Sequence, residues 1–176
     1  VDQLHGFAAA EKFRGTTNIY LFNWMDCDTR PVGEKEYHKM LRDGFSDTFL
    51  ASSPRELPLT FHDTVPPEVD SGTQLPKNTQ EPAVFVIPSG PRPSGQTGKI
   101  IVGLAEERGM GAFRAALGGA EPVECEVLTP SDLPGAKTTL AFTFPREAFA
   151  EGVNSFTLTQ TEGERSTVVY VKTRFE

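Results

Sequence analysis

Long apolar runs are missing from this chain. None of its segments approaches the ~20 consecutive apolar residues that a membrane-spanning helix requires, so no membrane span is expected. Cysteine is scarce: Cys27 and Cys125 stand far apart, too few and too widely spaced for a disulfide framework or a structural zinc site. Each reads as a small buried hydrophobe, and no metal site is expected. Positive charge is also short, with 17 Lys and Arg against 24 Asp and Glu and a net charge of -7. No basic cluster opposes that balance, which argues against nucleic acid as a partner. The sequence contains no Gly-x-Ser-x-Gly elbow, phosphate-binding Walker loop or His-Glu-x-x-His helix. The glycine-rich run Glu107 to Gly119 lacks the Lys-Ser/Thr ending of a phosphate loop, and Gly109 and Gly111 there read as a turn. No cofactor is implied.

Against these absences one stretch stands out, Asn18-Ile19-Tyr20-Leu21-Phe22-Asn23-Trp24-Met25, followed by Asp26-Cys27-Asp28. An apolar run with β-branched and aromatic residues reads as a strand buried on both faces, as in parallel sheets. Polarity then changes within three residues, as it does where a barrel strand opens onto an active-site face. Before it, Asp2 to Arg14 has Leu4, Phe7, Ala8 and Phe13 at helical spacing, with Gly15 as a stop. After it, Arg30 to Arg42 places Tyr37, Met40 and Leu41 on one helical face. Thr29 or Asp28 can cap that helix and Pro31 falls in its first turn.

The sequence "NIYLFNWMDC" followed by "RPVGEKEYHKMLRDGFS" resembles the last strand and last helix of the (β/α)8 barrel in bacterial family 10-like glycosyl hydrolases. In that group a C-terminal β-rich domain follows the barrel. A complete barrel takes roughly 250 residues, more than the 176 present. The resemblance therefore implies a C-terminal piece of a longer carbohydrate-active protein: residues 1-54 the βα remnant of a TIM barrel, residues 55-176 an accessory β-sandwich. It implies an upstream barrel and a poly- or oligosaccharide as partners, a secreted or periplasmic parent, and no activity for this chain alone.

Beyond Asp43 to Pro54, a short connector with Phe45, Phe49 and Leu50, the periodicity changes. Leu57, Leu59 and Phe61 alternate with polar neighbours, as in a half-buried strand. Ala83 to Pro88 is the strongest strand pattern, and Lys99 to Leu104 is the next. Ala112 to Leu117 suits helix or strand, and Gly118-Gly119 followed by Val123 to Leu128 in alternation suggests a hairpin between the two. Thr139 to Phe144, Asn154 to Thr159 and Thr167 to Phe175 complete about eight strands. Pro145 to Phe149 reads as one helical turn. This spacing predicts an antiparallel β-sandwich. The closing stretch "REAFAEGVNSFTLTQTEGERSTVVYVKTRFE" resembles the last strands of jelly-roll accessory domains of glycoside hydrolases.

Candidate chemistry concentrates at Asn23, Trp24, Asp26 and Asp28, where the barrel strand would meet substrate. Trp24 can offer a platform to a sugar ring, and Asn23 and Asp26 can hydrogen-bond hydroxyls. Equally, Asp28 can cap a helix and Trp24 pack under a loop. No catalytic acid, base or nucleophile is assignable, because glycoside hydrolysis uses two carboxyls roughly 5 to 10 Å apart and one would lie on an absent strand. His62 and Asp63, adjacent on a strand, point to opposite faces and do not read as a dyad. His5 and His38 are expected on helix surfaces. The aromatics of the β region are nearly all Phe at core positions. Tyr170 alone has the amphipathic character of a sugar platform. Either a sandwich that braces the barrel or a non-catalytic glycan-binding or protein-interaction module fits these residues.

Overall fold

The computed structural model describes residues 2–19, 33, 35–36, 38–39, 45–59, 75–79, 81–91, 97–128, 133 and 135–176. Among the described residues, α1 (Asp2–Phe13) and α2 (Asp47–Ser52) precede the strands. The strands follow: β1 (Arg55–Pro58), β2 (Lys77–Asn78), β3 (Ala83–Gly90), β4 (Gly98–Leu104), β5 (Phe113–Leu117), β6 (Glu124–Leu128), β7 (Thr138–Phe144), β8 (Gly152–Gln160) and β9 (Thr167–Phe175). Lys35, Glu36, His38 and Lys39 are helical and exposed.

The strands form two antiparallel sheets. The larger runs β1-β9-β4-β7-β6, with β2 also paired to β9, and the smaller runs β3-β8-β5. Inward residues of both sheets make one core, with Phe85 and Phe156 from the smaller sheet and Ile100, Val102, Phe142, Phe144 and Phe175 from the larger. Phe156 joins the layers: its ring centroid lies 6.2 Å from Phe85, 6.0 Å from Phe142 and 6.4 Å from Phe144. The fold is mainly β, and two sheets sharing one apolar layer make a sandwich, as the alternation predicted.

One pairing differs from the expectation. Gly118 and Gly119 do form a tight turn, with Leu117 bridged to Ala120. The chain then crosses to the other sheet, so β5 pairs with β8 while β6 pairs with β7. Pro122, which has no N–H to give a ladder, separates the two strands, and the Val123 N–H instead donates to the Thr143 carbonyl at 2.8 Å. Of the named strands, only β6 and β7 are neighbours in both sequence and sheet. All other pairings are between distant parts of the chain.

β7 is buried along both faces. Leu140, Phe142 and Phe144 enter the core. On the other face Lys99 of β4 reaches across β7 to Glu126 of β6 at 2.9 Å, and this bridge lies over Ala141 and Thr143 by register. Cys125, expected to be buried, is an exposed free thiol, because β6 is an edge strand with few residues buried.

Candidate functional site

Asn23, Trp24, Asp26 and Asp28 lie outside the described residues, as do Cys27, His62 and Asp63. The described residues bring together a different set at the joint between the helices and the sandwich: His5, Gly6, Phe49, Ser53 and Arg55.

The joint is made by small residues. Residues 8 to 10 of α1 are alanines and position 6 is glycine, and His5, Gly6, Ala8, Ala9 and Ala10 form its buried face. Of the residues read at helical spacing, Ala8 is buried and Leu4 half-buried, whereas Phe7 and Phe13 are 53% and 46% exposed, the Phe13 ring lying against Gly152 at the start of β8. Backbone proximity explains why the small residues face inward. A Cβ on Gly6 would lie inside the van der Waals contact of the Glu56 carbonyl oxygen, 2.7 Å from the carbonyl carbon and 3.0 Å from Leu57 Cγ. One turn later, Gly90 of β3 adopts φ of 65°, and a Cβ there would come 3.0 Å from the Ala9 carbonyl carbon. Helix backbone thus rests on strand backbone at two points, which only small residues permit.

α1 belongs to two apolar clusters at once. Ala10 is part of the sandwich core, whereas Ala8 and Ala9 pack with Leu50 of α2, Phe45 and Ile19. Ile19 opens the stretch read as a barrel strand. α2 is capped by Ser46, whose Oγ accepts from the Phe49 N–H at 3.3 Å, and is tied to α1 by the Lys12–Asp47 ion pair at 2.9 Å.

Arg55 holds the joint from below. It is 1% exposed at the start of β1. Its Nη1 donates to the Leu50 carbonyl of α2 at 2.9 Å and its Nη2 to the Pro91 carbonyl just beyond β3. The guanidinium also sits 4.9 Å from the centroid of the Phe175 ring. The side chain therefore joins α2, β1, β3 and β9 through carbonyl dipoles and a ring face, with no carboxylate in that set. Burial pushes its pKa down to about 10, so it stays charged at neutral pH.

His5, expected on the surface, is 5% exposed. Its ring meets Phe49 edge to face at 5.1 Å, and Nδ1 lies 3.4 Å from the Pro54 carbonyl oxygen. Burial pushes the imidazole below its ordinary pKa, with the Pro54 carbonyl and Asp2 opposing in part. His5 Nε2, Ser53 Oγ and Arg55 Nε are buried without hydrogen-bond partners among the described residues. Three such atoms in one small joint mark it as a place where polarity has been retained against its desolvation cost.

Two other polar assemblies serve the sandwich. At one end Thr79 Oγ1 donates to Gln160 Oε1 at 2.5 Å and accepts from the Ser166 N–H at 3.1 Å. Arg108 Nε donates to Ser166 Oγ at 3.1 Å, which binds the turn between β8 and β9 to the loop after β4. At the other end Asn154 spans β8 and β3, taking the Ala150 N–H at 2.7 Å and donating to Ser89 Oγ at 2.9 Å. The outer face of the larger sheet carries paired charges, Lys172–Glu56 at 2.9 Å beside Lys99–Glu126. Tyr170 is half-buried on that face, its phenol pKa raised by burial and then by Glu56.

No protein-family model and no curated protein matches the chain. Among the described residues no helix is long and apolar enough to cross a membrane, and no three His, Cys, Asp or Glu side chains are grouped to hold a metal ion.

Residues His5 and Arg55 escaped the sequence reading because a lone histidine in a helix and an arginine at a strand start ordinarily face water. A signal was present nonetheless. The run Gly6-Phe7-Ala8-Ala9-Ala10 places small residues along one helical face, the pattern of close backbone approach.

Proposed function

We propose that this chain is the C-terminal region of a glycoside-hydrolase-like carbohydrate-active protein, in which residues 55-176 form an accessory, jelly-roll-like sandwich. Residues 1-54 are then the last βα unit of a (β/α)8 barrel, and the sandwich braces that barrel. One observation carries the reading: α1 sits between two apolar clusters, giving Ala10 to the sandwich core and Ala8 and Ala9 to the cluster that contains Ile19. A helix so placed couples Ile19 to the sandwich. Asn23, Trp24, Asp26 and Asp28 would then be held at the substrate face by a rigid support. Catalytic carboxyls would belong to upstream strands, and this chain alone would be inactive.

The test is to read the coding sequence upstream of Val1 and produce the extended protein. Some 200 residues of alternating strand and helix, with hydrolysis of at least one member of a polysaccharide panel, support the proposal. An upstream segment without that pattern removes it.

A second reading, a non-catalytic glycan-binding or protein-interaction module, is favoured by the outer face of the larger sheet, where Tyr170 stands among ion-paired side chains. Binding of an oligosaccharide by the present chain, lost on Tyr170→Ala, would support it.

A further inference from the structure

We infer that the joint between α1 and the sandwich is a proton-sensitive latch, closed while the His5 ring is neutral and loosened when that ring takes a second proton. The inference concerns the joint alone and holds whether or not a barrel precedes it.

The surroundings of His5 accommodate one protonation state. With its proton on Nδ1 the neutral ring can donate to the Pro54 carbonyl, 3.4 Å away. Nε2 is then a bare lone pair, buried and without a hydrogen-bond partner among the described residues. Protonation turns Nε2 into an N–H donor aimed at no acceptor and places a full charge inside the joint. A buried lone pair is tolerable, but a buried, unsatisfied cationic donor is far costlier.

Among the described residues, the charged groups on each surrounding element do not rescue the cation. On α1 itself Asp2 favours the proton, but burial outweighs it. α2 presents the Phe49 ring to His5, and its Asp47 is engaged with Lys12. β1 begins with Arg55, a second positive charge, whose Nη1 and Nη2 are engaged by the Leu50 and Pro91 carbonyls. Glu56 of β1 directs its carboxylate to Lys172 and Arg174. β3, the other strand beneath α1, has the sequence AVFVIPSG and contains no titratable side chain.

Opening the joint relieves this conflict cheaply. α1 meets the sandwich through Gly6, Ala10, the Ala9 backbone and the half-exposed Phe13 ring, which together bury little apolar area, so a single unfavourable proton is large by comparison. The proton comes from solvent and returns to it, with no other chemical change. Because the docked ring binds a proton less readily than the undocked one, docking strengthens as pH rises and weakens as pH falls below the ordinary histidine value of about 6.5.

The test is native-state amide exchange of Gly6–Ala10 between pH 7 and 5, corrected for intrinsic exchange and compared with β4 and β7, alongside an NMR titration of the histidine rings. The opening constant of α1 is expected to rise by up to tenfold per pH unit below about 6.5, since one proton is linked to opening. β4 and β7 should not change, and the His5 ring should titrate below 6.5. His5→Gln should flatten the response, whereas His38→Gln and His62→Gln together should leave it intact. A His5 ring titrating at or above 6.5, an α1 opening constant flat across the range, or a response that persists in His5→Gln overturns the latch. Should His5→Gln fail to dock, the ring titration of the unaltered chain decides the matter by itself.

Discussion

Replacing Gly6 by alanine should reverse the sign of a familiar rule. In an isolated helix the change is favourable by about 1 kcal/mol, because alanine gives up less backbone entropy. In this protein the new methyl would meet the Glu56 carbonyl group, whose carbon is 2.7 Å from the ideal Cβ. β1 cannot retreat, since Glu56 is paired with Arg174 in the ladder to β9 and its carboxylate is bonded to Lys172. Overpacking of this kind costs about 1–3 kcal/mol. The alternative, α1 lifting away, gives up the burial of three alanine methyls at about 0.8 kcal/mol each, or roughly 2–2.5 kcal/mol. The cheaper route sets the cost, and subtracting the propensity gain leaves a net loss of up to about 1.5 kcal/mol. Urea unfolding followed by circular dichroism should show the midpoint fall with little change in slope. A peptide covering Asp2–Phe13 should become more helical on the same substitution. If the intact protein is unchanged or stabilised, the backbone-on-backbone account of this joint is wrong.

Phe156→Ala should cost about 3–5 kcal/mol in the same assay, because the ring touches Phe85, Phe142 and Phe144 and no neighbour can fill its place. Arg55→Lys should destabilise by about 1–3 kcal/mol, since one ammonium cannot serve both the Leu50 and Pro91 carbonyls as the forked guanidinium does, and a melting point equal to that of the unaltered protein would refute this. Asn154→Ala should cost about 1–3 kcal/mol by leaving the Ala150 N–H and Ser89 Oγ short of a partner, and should raise amide exchange first at Ala150. Cys125 should react with iodoacetamide in the folded protein, but more slowly at pH 8 than a free thiol and with a rate still climbing above pH 9. Burial, and then Glu124, holds its pKa up and so reduces the thiolate fraction.

Alternation in Thr139–Phe144 pointed to a strand with the correct inward residues, and Phe85, Phe142, Phe144 and Phe156 were legible as core positions, because a period of two is a local property that survives any tertiary arrangement. Helix α1 was equally legible from its spacing and from Gly15 beyond its end. Which face of α1 is buried was not. Area arguments favour burying Phe7 and Phe13, yet β1 and β3 come so close to the helix backbone that Gly6 and the alanines face them, while Phe7 and Phe13 stay about half exposed. The same limit hid the joint: the places of His5 and Arg55 become legible only once Leu50 and Pro54, in α2 and its exit, and Pro91, beyond β3, supply carbonyls.

The sequence by itself determined that the chain is mainly β, where most strands begin and end, and which of their residues are apolar enough to face a core. Tertiary structure alone decided which strands pair. A glycine pair after Leu117 specifies a turn but not the partner of the strand that follows, and β5 and β6 part to opposite sheets. Strand partners are set by the total apolar area that two sheets can bury between them, a sum over distant segments that no local window contains. Likewise, the identity of His5 is written in the sequence, but its proton affinity depends on a joint assembled from α1, α2 and β1.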